Sequence, residues 1–134
     1  MSADEALVSI RHDVDIITAR QRGRSLASQL NFSLGELALI ATAISEVARN
    51  IIVYAQGGEI VLRLIENLNR RGIMVVARDE GPGIPDIEKA MQDGYSTGGG
   101  LGVGLPGARR LMDEFEIESQ LGKGTTIVMK KWAR

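Results

Sequence analysis

Gly94-Tyr95-Ser96-Thr97-Gly98-Gly99-Gly100-Leu101-Gly102-Val103-Gly104-Leu105-Pro106-Gly107 is the stretch on which the reading of this chain turns. Seven of its fourteen residues are glycine. Glycine loses more backbone freedom on ordering than any other residue. A run this dense is therefore better explained by a ligand it closes around than by a passive loop. Without side chains the backbone N–H groups are free to curl round an anion. Pro106, suited to the first residue of a helix, puts a helix N-terminus behind them. The enrichment is local: nine of the 16 glycines lie between Gly81 and Gly107. Two familiar phosphate loops fail the test. The walker-type G-x-x-x-x-G-K-[ST] is absent. Gly102 to Gly107 matches G-x-G-x-x-G, but no strand runs directly into it, as a dinucleotide site requires. Eukaryotic-type kinase signatures are also missing.

Upstream, Ser33-Leu34-Gly35-Glu36 is a capping box. It opens a helix to about Tyr54, with Leu37, Ile40, Ile44, Val47 and Ile51 forming one apolar stripe. Before it, Leu7 to Val14 reads as a strand and Ile16 to Leu30 as a helix. Arg20-Gln21-Arg22-Gly23-Arg24 reads as a solvated face on that helix. Beyond Gln56-Gly57-Gly58 come strands Glu59 to Ile65 and Gly72 to Arg78. A short helix follows at Asp86 to Gln92, then one at Pro106 to Phe115. Glu116 to Gln120 and Thr125 to Trp132 form a closing hairpin. Sequential hairpins with helices able to cover one face predict an α+β, two-layer α/β sandwich on a mostly antiparallel mixed sheet.

Composition narrows the chemistry. The 134 residues suit one domain, 1–134. There is no cysteine and one histidine, which excludes disulfides, thiolate nucleophiles and histidine or cysteine metal cages. A net charge of −1 is no footprint for nucleic acid or an anionic membrane. The longest uncharged apolar stretch, Leu37 to Ser45, is far short of the roughly 20 residues of a membrane span. No signal pattern opens the chain. The expectation is a soluble, cytoplasmic protein.

Two further groups can carry chemistry. Glu46 and Asn50, four apart, project from one side of the long helix. Such a pair can hold a cation, or one can take a proton while the other binds metal; a solvated face with Arg49 balancing Glu46 is the alternative. Asp79-Glu80-Gly81-Pro82-Gly83 closes an apolar strand. It can present an acceptor to a ligand, or simply make a tight turn.

In order, E-x-x-x-N (Glu46, Asn50), D-x-G-x-G (Asp79, Gly81, Gly83), G-x-G-x-G (Gly100, Gly102, Gly104) and G-T (Gly124, Thr125) resemble the Bergerat ATP-binding superfamily of DNA gyrase, the Hsp90 chaperone, histidine kinases and MutL. ATAISEVARNIIVYAQGGEI (41–60) and GLPGARRLMDEFEIES (104–119) look like the small switch serine kinases of stressosome partner-switching modules. The anti-sigma kinases share the fold and motifs.

This resemblance implies a kinase using ATP and Mg2+. In it, Glu46 is the general base, Asn50 the magnesium ligand, and Arg49 lies near the phosphates. Asp79 accepts from the adenine amino group, Gly83 leaves room for the base, and Gly81 also belongs to the nucleotide site. Gly100, Leu101, Gly102, Val103 and Gly104 line the phosphates in a lid, and Thr125 bonds near the adenine. The implied partners are STAS-domain antagonist and co-antagonist proteins as substrates and a PP2C-type phosphatase as effector, with neither nucleic acid nor membrane. The rival is an anti-sigma factor or other non-catalytic module that acts by sequestration.

Overall fold

Five strands and three helices build the described part of the chain. The structure, a computed structural model, describes residues 4–83, 91 and 104–133. In chain order the elements are β1 (Glu5–Ile10), α1 (Asp13–Ala27), α2 (Leu34–Tyr54), β2 (Gly58–Asn67), β3 (Arg70–Asp79), α3 (Gly104–Leu111), β4 (Glu114–Gln120) and β5 (Gly124–Trp132). The strands form one sheet in the order β1-β2-β3-β5-β4. All four pairings are antiparallel. The helices cover one face of the sheet, as the α+β pattern predicts.

Alternation decides which strand residues turn toward the helices. Ala6, Val8 and Ile10 of β1, Ile60 and Leu62 of β2, Ile73, Val75 and Ala77 of β3, and Ile127 and Met129 of β5 are all buried. The stripe read on α2 meets them, with Leu37 at 7% exposure and Ile40, Ile44, Val47 and Ile51 at 0–1%. By length and composition alone α2 could cross a membrane. Its place as the core helix accounts for that composition. Its capping box is present: Ser33 Oγ accepts from Glu36 N at 3.0 Å, and Glu36 Oε1 accepts from Ser33 N at 2.9 Å.

Several boundaries differ from the sequence reading; α1, expected over Ile16 to Leu30, runs Asp13–Ala27. β1 stops at Ile10, not Val14, because a helix cap intervenes. Asp15 Oδ2 accepts from the backbone N–H groups of Arg11 and His12, at 2.8 and 2.9 Å, and so fixes the start of α1. Those bonds, Arg11's first, hold the Asp15 carboxyl below the ordinary aspartate range. A depressed carboxyl stabilises the fold above its unfolded value, and the effect fades as pH falls through the folded one. Asp15→Asn is therefore expected to make the acid-side fall in stability shallower, read from urea midpoints at several pH values.

At the other end α3 stops at Leu111, and Phe115 belongs to β4. The Glu114-Phe115-Glu116-Ile117-Glu118 alternation pairs with β5, Phe115 opposite Met129. Asp113 N donates to Lys130 O at 2.9 Å just before that pairing starts. α3 also begins two residues earlier than expected. Pro106 is thus its third residue, still in the first turn, where a missing N–H costs nothing. The expected helix Asp86 to Gln92 lies outside the described residues, apart from Met91.

Candidate active site

The polar residues of α2 stand out because the rest of the helix is apolar. Glu46 is 7% exposed and Asn50 3%. α3 packs against α2, and its first residue reaches Glu46. Glu46 uses both carboxylate oxygens. Oε2 accepts from Arg49 Nη1 at 2.7 Å, and Oε1 accepts from Gly104 N at 2.8 Å. Gly104 opens α3 with φ 68, a left-handed conformation that favours glycine. The helix start is thereby tied to Glu46.

Asn50 differs. Its Oδ1 is buried and has no hydrogen-bond partner among the described residues. Buried side-chain oxygens almost always have one, and an orphan calls for an explanation. A hard cation takes neutral amide oxygens readily. Magnesium in particular keeps most of its waters and phosphate oxygens, so one protein oxygen is enough. The orphaned oxygen therefore fits such an ion.

Asp79 is the last residue of β3, on the helix-facing side and 9% exposed. Its Oδ1 accepts from Gly81 N at 2.9 Å, which fixes one carboxylate oxygen in the turn. On one side Asp79 pairs with Gly58 and on the other with Thr125. A Cβ on Gly58 would meet Arg78 O at 2.3 Å and Asp79 Cβ at 3.1 Å. A Cβ on Gly124 would meet Asp79 O at 2.1 Å. Glycines thus crowd Asp79 from both neighbouring strands. The Gly58 contact also reaches Ile51 Cγ2 at 3.0 Å, so Asp79 sits beside α2 just past Asn50.

Gly81 passes under the end of α2, where a Cβ would strike Ala55 Cβ at 2.6 Å and Tyr54 O at 2.7 Å. Gly83, with φ 83, packs against the β4–β5 hairpin, and a Cβ there would meet Gln120 O at 2.6 Å. Close packing favours glycine at both positions. Thr125 is 3% exposed, and its Oγ1 lies 2.8 Å from Ser119 Oγ.

The structure brings Glu46, Arg49 and Gly104 together as one cluster, and Asp79, Gly81 and Thr125 as another. The second half of α2 links them. Gly100, Leu101, Gly102 and Val103 lie outside the described residues. The sequence reading missed two participants. Gly58 figures in the sequence reading only within Gln56-Gly57-Gly58, ahead of the strand that starts at Glu59. Ser119 is marked by its inward register opposite Thr125, a signal visible only once the hairpin is drawn.

A buried acid and a buried amide oxygen on α2, and a carboxylate that closes β3, are thus gathered on the helix side of the sheet. The chain belongs to the histidine kinase-, DNA gyrase B- and HSP90-like ATPase family, whose model matches residues 35–133. It is 50% identical over 131 residues to the serine/threonine-protein kinase RsbT of Bacillus subtilis (strain 168), with 98% of each chain covered. It is also 36% identical over 118 residues to an anti-sigma F factor of Thermoanaerobacter sp. (strain X514), covering 85% of this chain and 82% of that one. A mycobacterial sensor histidine kinase, MprB, has the same fold, with TM-score 0.57 at 19% identity over 97% of this chain and 98% of that one. At half identity over almost the whole length, the chain is an ATP-using serine/threonine-protein kinase of the partner-switching kind.

Proposed function

We propose that this kinase phosphorylates serine or threonine residues of STAS-domain antagonist and co-antagonist proteins of a stressosome, then leaves them to bind and activate a PP2C-type phosphatase. The observation that carries the catalytic part is the buried pair on α2: Glu46 with both oxygens held, and Asn50 with Oδ1 unpartnered among the described residues. The partners follow from likeness to the switch kinases.

In this reading Asp79 accepts from the adenine amino group and Thr125 bonds beside it. Asn50 Oδ1 would hold Mg2+, which would neutralise phosphate charge. The substrate hydroxyl oxygen bonds to the γ-phosphorus as the bond to the bridging oxygen breaks and ADP leaves. The hydroxyl proton passes to Glu46, whose oxygens each keep a second lone pair. Phosphoryl transfer asks the protein mainly for positioning and charge neutralisation, and a site this spare is sufficient.

Transfer of label from γ-labelled ATP to STAS proteins tests the reaction. No transfer to any of them would sink the substrate class. Asn50→Ala is expected to abolish the magnesium-dependent part of ATP binding and to stop transfer. ATP calorimetry with Mg2+ and with a chelator reads the difference. An unchanged magnesium dependence would remove Asn50 from the metal site.

A standard interface covers about 800 Å² per partner, a large share of so small a domain. The STAS substrate and the phosphatase are therefore expected to exclude each other. Phosphorylation adds close to two negative charges beside Glu46 and the spent nucleotide, which favours release of the product. A stable ternary complex at saturating concentrations would overturn exclusive binding.

The anti-sigma F relatives keep a second reading open, sequestration with ATP as a shape-holding ligand. Such a module has no use for a base at Glu46. Full partner binding together with absent transfer in the wild-type chain would favour it.

A further inference from the structure

We infer that Arg49 is a positioning residue that acts through Glu46, not a ligand of the nucleotide phosphates; the inference rests on the reading of Glu46 as the base. Arg49 and Glu46 are three apart on α2 and so neighbours on its surface. The Nη1–Oε2 separation of 2.7 Å is that of a strong charge-assisted hydrogen bond. Glu46 is buried, whereas the Arg49 side chain is one-third exposed, at 34%. The carboxylate therefore depends on the pair far more than the guanidinium does. A buried carboxylate stripped of its cation is costly, while a half-wet arginine is readily hydrated.

The second hold comes from a different element. Oε1 takes the N–H of Gly104 at the first residue of α3. Two points of attachment, one on α2 and one on α3, set both the place and the plane of the carboxylate. An arginine drawn away to a phosphate would leave Glu46 pinned at one oxygen and free to swing about it. General-base transfer requires hydrogen-bond reach to the substrate hydroxyl, and an error of about 1 Å costs on the order of 10²-fold. Arg49 thus serves the rate of transfer and leaves the hold on ATP to other groups.

The test compares Arg49→Ala and Arg49→Lys, each also in a Glu46→Gln background. ATP affinity is read by calorimetry, transfer by single-turnover labelling, and the Gly104 amide by hydrogen exchange. Arg49→Ala is expected to lower the transfer rate by roughly 10- to 100-fold, with ATP affinity within about twofold of wild type. Arg49→Lys is expected to recover part of the rate. In the Glu46→Gln background Arg49→Ala is expected to cost nothing further. The Gly104 amide should exchange about tenfold faster in Arg49→Ala, the net effect of weakening one hydrogen bond.

A tenfold loss of ATP affinity with the transfer rate preserved would make Arg49 a phosphate ligand and overturn the proposal. So would an equal further loss in the Glu46→Gln background, or an unchanged Gly104 amide. Should Arg49→Ala fail to fold, Arg49→Lys carries the same comparisons, with a partial rate defect at unchanged affinity expected. A Glu46→Gln variant that transfers at the wild-type rate overturns the base reading and this proposal together. A defective Glu46→Gln beside a normal Arg49→Ala overturns this proposal alone.

Discussion

Glu46→Gln is expected to slow phosphate transfer by about 10²–10⁴-fold while leaving ATP binding largely intact. The substitution removes the one property that a base requires and keeps the shape. Glutamine still offers a carbonyl oxygen to the Gly104 N–H, so the tie between α2 and α3 survives. What it loses is the charge opposite Arg49, and that guanidinium is exposed enough to be solvated. A collapse of the fold is therefore not expected, and the loss of rate reads as chemistry. Single-turnover transfer, with ATP affinity measured on the same preparation, checks it. Transfer at the wild-type rate would take the base assignment away from Glu46. A loss of ATP affinity equal to the loss of rate would make Glu46 a binding group.

The contrast between Glu46 and Arg49 shows where the sequence was legible and where it was not. That α2 is a core helix follows from Leu37, Ile40, Ile44, Val47 and Ile51 alone, because a repeat of three or four is a property of one helix. The pairing of β4 with β5 is legible for a similar reason, since a tight turn at Leu121 to Lys123 leaves one register. The ends of elements were less so. Val14 continues the apolar character of β1, and only the backbone bonds gathered by Asp15 show that α1 has already begun. Phe115 fits a helix ending or a strand starting, and pairing with Met129 decides it.

The candidate site residues stand out in the sequence as a set, through their order along the chain. Their contacts do not, because these join distant parts of the chain. Nothing local says that Arg49 turns to Glu46, that Gly104 caps the same carboxylate from 58 residues away, or that Gly58 and Gly124 flank Asp79.

Asp79→Asn is expected to weaken ATP binding by roughly 10- to 150-fold, the range set by about 1.5–3 kcal/mol for a hydrogen bond to a charged group. Asp79 brings two oxygens to the end of β3, and one is committed to Gly81 N. That bond fixes the side-chain torsion and leaves the second oxygen for the proposed bond from an adenine amino group. Asparagine can satisfy only one of these demands with oxygen. If its oxygen stays on Gly81 N, its amide nitrogen confronts the adenine with a second donor. If the amide turns over, the turn loses its bond.

The fold is expected to tolerate the change, since Asp79 is at a strand end and its backbone pairing with Gly58 and Thr125 is untouched. Thr125 separates the adenine contact from a general loosening. Its hydroxyl is held by Ser119, and Thr125→Val should weaken ATP less than Asp79→Asn does, because a neutral hydrogen bond is worth about 0.5–1.5 kcal/mol. Calorimetry of both variants, with folding checked by urea unfolding, reads the order. Unchanged ATP affinity in folded Asp79→Asn would remove Asp79 from the nucleotide site and leave Glu46 and Asn50 to be explained without it.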